Sequence, residues 1–130
     1  MVKRKITMKF AEDHNTANYK ISGYENDNIA INGLPHSQSL VLSPMELTKD
    51  WAPSQYSDLT AEDLDAIYAM EPEIIIIGTG KNQIFPSADI LRRLAKEQIG
   101  YEIMDTQAAC RTFNILMAED RTVVAGLFLK

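Results

Sequence analysis

The spacing of apolar positions changes twice along this chain, and each change predicts a different element. Ile6, Met8 and Phe10 alternate with Thr7 and Lys9, a two-residue period that predicts a strand with one buried face. Glu12-Asp13-His14-Asn15 reads as a polar turn. Tyr19, Ile21 and Tyr24 then predict a second strand ending near Gly23. Asn26-Asp27-Asn28 is a turn cluster, Ile29 and Ile31 begin another short strand, and Asn32-Gly33 is a strong reversal signal. Leu40-Val41-Leu42 predicts a further strand that stops before Pro44. The turns are short, so these strands are expected to pair antiparallel.

Beyond an irregular bridge from Trp51 to Tyr56, which contains Pro53, the period lengthens. Thr60 opens a helix: its hydroxyl can accept a first-turn amide, and Asp63 can answer back to the cap. Leu64, Ile67 and Tyr68 form the buried stripe, and Pro72 stops the helix. Glu73-Ile74-Ile75-Ile76-Ile77-Gly78 has no polar face. It is expected in the middle of an α/β sheet, covered on both sides. After a loop from Gly78 to Pro86, Ser87 can cap a second helix. Ile90, Leu91 and Leu94 are expected inward, Arg92, Arg93 and Lys96 outward, and Gly100 at its end. Tyr101-Glu102-Ile103-Met104 predicts a second inner strand. Asp105 or Thr106 caps a third helix that buries Ala109, Phe113, Leu116 and Met117. Asp120-Arg121 turns the chain into a last strand, Thr122 to Leu129. The fold class is therefore α/β, with a βαβαβ C-terminal half whose first crossover should be right-handed.

Composition narrows the function. The 130 residues suit a single domain, 1–130, with 45% hydrophobic and 24% charged residues. A net charge of −5 argues against a nucleic-acid partner, which needs Lys and Arg to displace counterions from phosphates. Cys110 is the single cysteine, so no internal disulfide forms, and a lone thiol suits a reducing compartment. The basic start Met1-Val2-Lys3-Arg4-Lys5 leads into no apolar stretch of the secretory kind. The aliphatic run Ile74–Ile77 is far short of the about 20 residues that span a bilayer, so no membrane insertion is expected.

Ligands of open α/β sheets gather beyond the carboxyl ends of the strands. Two such ends carry polar residues here: Gly78-Thr79-Gly80, and Asp105-Thr106 leading to Cys110 and Arg111. Glycines can bring bare amides to an anion. This loop, however, lacks both the third glycine of a dinucleotide fingerprint and the Gly-Lys-Ser/Thr of a phosphate loop. A structural strand-to-loop turn is the alternative. Asp105 is either an N-cap, which would hold its carboxyl ionised, or a ligand group. Cys110 is either a packed small thiol or a nucleophile, and nothing in the sequence places His14 or His36 beside it. Arg111 either clamps Asp105 or a carbonyl, or presents its fork to a carboxylate or phosphate. The histidines have no metal-ligand spacing, so neither metal nor cofactor is expected, and no catalytic residue is assigned. Trp51 and Tyr56 cover one end of the core or, if exposed, form a protein-contact surface.

Together these residues resemble a known family. Glu73 to Gly80, Phe85-Pro86, Gly100 to Thr106, and Ala108-Ala109-Cys110-Arg111-Thr112-Phe113-Asn114 are similar to a small domain family of unknown function. That family includes the mitochondrial respiratory complex I assembly factor 3 and an adipogenesis-associated protein. Tyr24, Ile29 to Gly33, Ser43-Pro44 and Trp51 also fit its layout. The resemblance implies a three-layer α/β fold around a mixed central sheet, with an added β layer from the N-terminal half. It implies no established reaction, a protein partner, and a cytoplasmic bacterial relative; separately, a monomer or weak homo-oligomer is expected. The expected function is a non-enzymatic interaction or assembly protein. The alternative is a small-molecule or anion binder, or an enzyme, using the rim at Gly78–Gly80, Asp105-Thr106 and Cys110-Arg111.

Overall fold

The computed structural model describes residues 19–25 and 27–130. The strand expected at Ile6–Phe10, the turn at Glu12–Asn15 and Asn26 lie outside the described residues.

Two sheets are present among the described residues. β1 (Ile21–Glu25), β2 (Asn28–Ile31) and β3 (Leu34–His36) form an antiparallel three-stranded sheet in that order. Asn32 and Gly33 reverse the chain between β2 and β3 with φ of 52° and 85°, the left-handed pair that a tight hairpin requires. β1 runs through Gly23 instead of ending there. Its pairing slips between Ile21 and Gly23, so the glycine marks a bulge and not a terminus.

The second sheet adds β4 (Leu40–Leu42), β5 (Leu47–Thr48), β6 (Ile74–Thr79), β7 (Gly100–Met104) and β8 (Val123–Phe128), in the order β5-β4-β8-β6-β7. β6 is parallel to β7 and β8, while β4 is antiparallel to β5 and β8, so the sheet is mixed. The aliphatic run behaves as its pattern predicts. Ile75, Ile76 and Ile77 are wholly buried, with Ile76 on one face and Ile75 and Ile77 on the other. β7 is not an inner strand. The chain leaves it through α3 (Thr106–Ala118) and crosses β6 to place β8 on the far side, which leaves β7 at the sheet edge. Its burial is accordingly partial, with Glu102 exposed.

Each face of this sheet has its own core. On one side, Ala109, Cys110 and Phe113 of α3 and Ile21, Ile29 and Ile31 of the small sheet pack over Ile76, Val123, Ala125 and Leu127. On the other, Trp51, Leu64, Ile67, Ile90 and Leu94 pack over Ile75, Ile77, Val124 and Phe128. This is the expected three-layer arrangement. Burying the dozen largest side chains at about 1.5–3 kcal/mol each is the main force that holds the layers together.

The helices differ in detail from expectation. The Thr60–Asp63 capping box forms, but it opens a 3₁₀ turn, Ala61–Leu64, before the short α1 (Asp65–Tyr68). α2 (Ala88–Glu97) buries Ile90 and Leu94 but leaves Leu91 39% exposed, because one residue past Ile90 lies about 100° round the helix. Arg93 is drawn in instead. It pairs with Asp65 at 2.8 Å and Glu97 at 3.2 Å and lies over the Tyr68 ring. The left-handed residue that ends α2 is Gln98, φ 57°, and Gly100 already belongs to β7.

Candidate functional site

The parallel pairing of β6 with β7 and β8 brings the two polar strand ends together, as the sequence suggests. Thr106, at the first turn of α3, is their junction. Its amide donates to Gly80 O at 2.8 Å, and its hydroxyl accepts from Gly80 N at 2.8 Å and donates to Phe128 O. Thr79 Oγ1 donates to Asn82 O. Asp105 Oδ1 accepts from Ala108 N at 2.9 Å, which is the N-cap role. Thr79 and Thr106 are buried. The glycines have steric causes. A Cβ on Gly78 would lie 2.8 Å from Thr106 Oγ1, so only glycine admits α3 this close to β6. Gly80 has φ 102° and sits under the Lys130 carbonyl. Gly78, Thr79, Gly80, Asp105 and Thr106 thus meet, and the hydroxyls of Thr79 and Thr106 and one Asp105 oxygen are engaged with Asn82, Phe128, Gly80 and Ala108.

Cys110 and Arg111 part from this rim. One turn further along α3 they face β1 and line a groove of about 270 Å³ with Ser22, Gly23, Tyr24 and Gln107. The groove exists because Asn114 ties the two elements together. Its Oδ1 accepts from Ile21 N at 3.1 Å, and its Nδ2 donates to Ile21 O at 2.7 Å. The side-chain amide thereby serves as a one-residue strand along the β1 edge. Asn114 and Gln107 gained no role from the sequence. The signal available was their spacing with Cys110 and Arg111, which places all four on adjacent rows of one helix face.

Cys110 is the packed thiol of the two readings. Burial pushes its pKa up to about 12, with Asp105 pushing the same way and Arg111 opposing. Tyr24 is also pushed up, first by burial and then by Asp27, Cys110 and Asp105. The folded chain therefore holds the thiol proton after the unfolded chain has lost it. Stability falls as pH rises from the ordinary value of 9.0 toward about 12. Substituting Cys110 by alanine is expected to flatten that part of the stability profile. Thiol labelling near neutral pH is expected to track global unfolding, and fast labelling of the native protein would contradict the buried neutral thiol.

On the opposite face of the central sheet, Trp51 is 6% exposed. Its Nε1 donates to Asp63 O at 3.1 Å, and its ring meets Phe128 with centroids 5.1 Å apart. Trp51 thus covers the core on this face, the first of its two readings. Tyr56 packs edge-on against Phe128 and lines a cavity of about 300 Å³ with Leu59, Ile84, Phe85, Ser87 and Ile90. Phe85 is 91% exposed and Ile84 49%. Both lie in the loop that the sequence predicts between Gly78 and Pro86, and that prediction gives them no role. An aromatic residue before Pro86, outside any apolar period, was the available signal.

Among the described residues no cluster of His, Cys, Asp and Glu is arranged to hold a metal ion. No described helix is long and apolar enough to cross a membrane.

Comparison with known proteins agrees with this architecture. A crystal structure of a Bordetella parapertussis protein superposes with a TM-score of 0.81 at 34% identity, covering 88% of this chain and 98% of that one. Among curated proteins, NADH dehydrogenase [ubiquinone] 1 alpha subcomplex assembly factor 3 of Danio rerio is 33% identical over 127 residues, 95% of this chain and 72% of the relative. Its Bos taurus counterpart is 31% identical over 109 residues, 82% of this chain but 59% of the relative. The chain therefore spans well short of the full length of these relatives. Residues 21–128 match the family described as protein of unknown function (DUF498/DUF598), and to that family the chain belongs.

Proposed function

We propose that this chain is an assembly-factor-like protein that works by binding another protein and catalyses no reaction. The observation that carries the reading is the apolar knob at Ile84-Phe85 beside the cavity under Tyr56, Leu59 and Ile90. A phenylalanine left 91% exposed is a free anchor, and aromatic side chains set beside a desolvated pocket supply most of the energy of protein contacts. The resemblance to NADH dehydrogenase assembly factors over most of the chain supports a partner among the subunits of a respiratory NADH dehydrogenase. The lone thiol Cys110 suits work in the reducing cytoplasm.

The test is quantitative capture from the cell of origin with wild type and Phe85→Asp. Wild type is expected to retain a respiratory NADH dehydrogenase subunit, and Phe85→Asp to retain at least about tenfold less. Thermal melting should be unchanged, since Phe85 supports no core contact. Equal recovery by both proteins would move the contact elsewhere. Repeated capture with no such partner would remove the reading.

A further inference from the structure

We propose that the groove between α3 and the β1 bulge is a binding site for a carboxylate, held by the Arg111 fork. The site lies on the opposite face of the central sheet from the Phe85 knob, so it stands or falls independently of the protein-contact reading.

Three observations meet here. The first is the state of Arg111. Arg92 pairs with Asp89, Arg93 with Asp65 and Glu97, and Arg121 with Glu73. Arg111 alone of the described arginines has no carboxylate in ion-pair range among the described residues. It is exposed at the mouth of the groove. A guanidinium in that setting offers two parallel donors to a planar anion.

The second is the shape of the opposite wall. The bulge leaves Ser22 out of register, and Ser22 Oγ is already engaged with Ala30 O and Gly33 N. A Cβ on Gly23 would meet nothing within 4 Å, so bare backbone borders open space at that point. Bulges commonly redirect a strand beside a ligand site. Asn114 fixes this wall relative to α3 through its two bonds to Ile21, which gives the groove a set width.

The third is the electrostatic and apolar character of the floor. Cys110 stays neutral there, and Ile21 is apolar. Burial first, and then the negative charge of Asp27 and Asp105, raises the Tyr24 hydroxyl above its ordinary value, so it remains a protonated donor. A monoanion gains the Arg111 fork and meets that repulsion once. A single guanidinium balances the one charge of a carboxylate and leaves the second charge of a phosphate dianion uncompensated beside those two acids. A volume of about 270 Å³ accommodates a carboxylate with a short aliphatic or peptide tail.

A carboxylate can come from a free small acid, a chain terminus or an acidic side chain. The test separates them by amide NMR titration of the protein with propionate, an N-acetyl dipeptide with a free C-terminus, a glutamate-containing peptide amide and inorganic phosphate. An uncharged dipeptide amide is the control. Saturable shifts are expected at Ser22, Gly23, Tyr24, Gln107 and Arg111 with at least one carboxylate probe. The tightest of the three identifies the source. Arg111→Met is expected to weaken that probe by at least about tenfold. Arg111→Lys, which keeps the charge and loses the fork, should fall between the two, and it decides the matter if the methionine variant fails to fold. Absence of saturable shifts at these amides, equal binding of phosphate or the uncharged control, or undiminished binding by either variant would overturn the proposal.

Discussion

Thr106→Val is expected to lower the unfolding free energy by about 2–6 kcal/mol, read as a fall in the denaturant midpoint with an unchanged slope. Valine matches the shape of threonine, so no cavity opens. What is lost is one hydroxyl that is wholly buried and doubly engaged. It accepts from Gly80 N and donates to Phe128 O, at the ends of β6 and β8. Water cannot reach either group, and each orphaned backbone partner costs roughly 1–3 kcal/mol. Thr106→Ser keeps the hydroxyl and removes one methyl, so it should lose only about 1 kcal/mol. A valine variant as stable as wild type would mean that the rim is closed by packing alone, and the polar knot would have no energetic standing. The expected result also bears on function. A Thr106 hydroxyl and a Gly80 amide that are committed to holding the strand ends together are not free to bind a ligand. That is why the carboxylate site is placed one turn away, at Arg111.

Much of this was readable from neighbouring residues, because the physics was local. Four isoleucines in a row leave no polar face, and Ile74–Ile77 lies between two parallel neighbours. Thr60 and Asp63 are three residues apart and form their box, Asp105 caps its own helix, and Asn32-Gly33 turns where two positive φ values are needed. The failures fall where the outcome depended on distant contacts. β3 and β5 are three and two residues long, too short to show a period, and pairing with a neighbouring strand creates them. Leu91 and Arg93 both border the buried stripe of α2, and Asp65 and Tyr68 on another element decided which of them turned inward. The sheet order was hidden because parallel strands carry no mark of their neighbours, so β7 read as an inner strand. The groove is the extreme case. Asn114 and Ile21 are 93 residues apart, and no spacing in α3 announces a bulge in β1.

Gly126→Ala is expected to destabilise the protein by about 1–3 kcal/mol, although alanine ordinarily suits a strand better than glycine. Gly126 lies in β8, the central strand, paired with Ile77 on one side and Val41 on the other. A Cβ built there would be 2.8 Å from Trp51 Cη2, 2.9 Å from Cζ3 and 3.1 Å from Ile67 Cδ1. Carbon atoms in contact sit at about 3.5–4.0 Å, so something must move. The indole cannot withdraw easily, because Nε1 is held by Asp63 O and the ring lies against Phe128. Trp51→Phe removes the two clashing ring atoms and opens room at that point, at the cost of a cavity when made alone. Combined with Gly126→Ala it should recover stability, giving a favourable coupling of about 1 kcal/mol in a double-mutant cycle. A coupling near zero would show that the strand and the indole adjust independently. A positive result would make glycine at 126 and tryptophan at 51 one packing unit. It would also explain why the chain's single tryptophan lies inside, while Phe85 is the exposed aromatic side chain among the described residues.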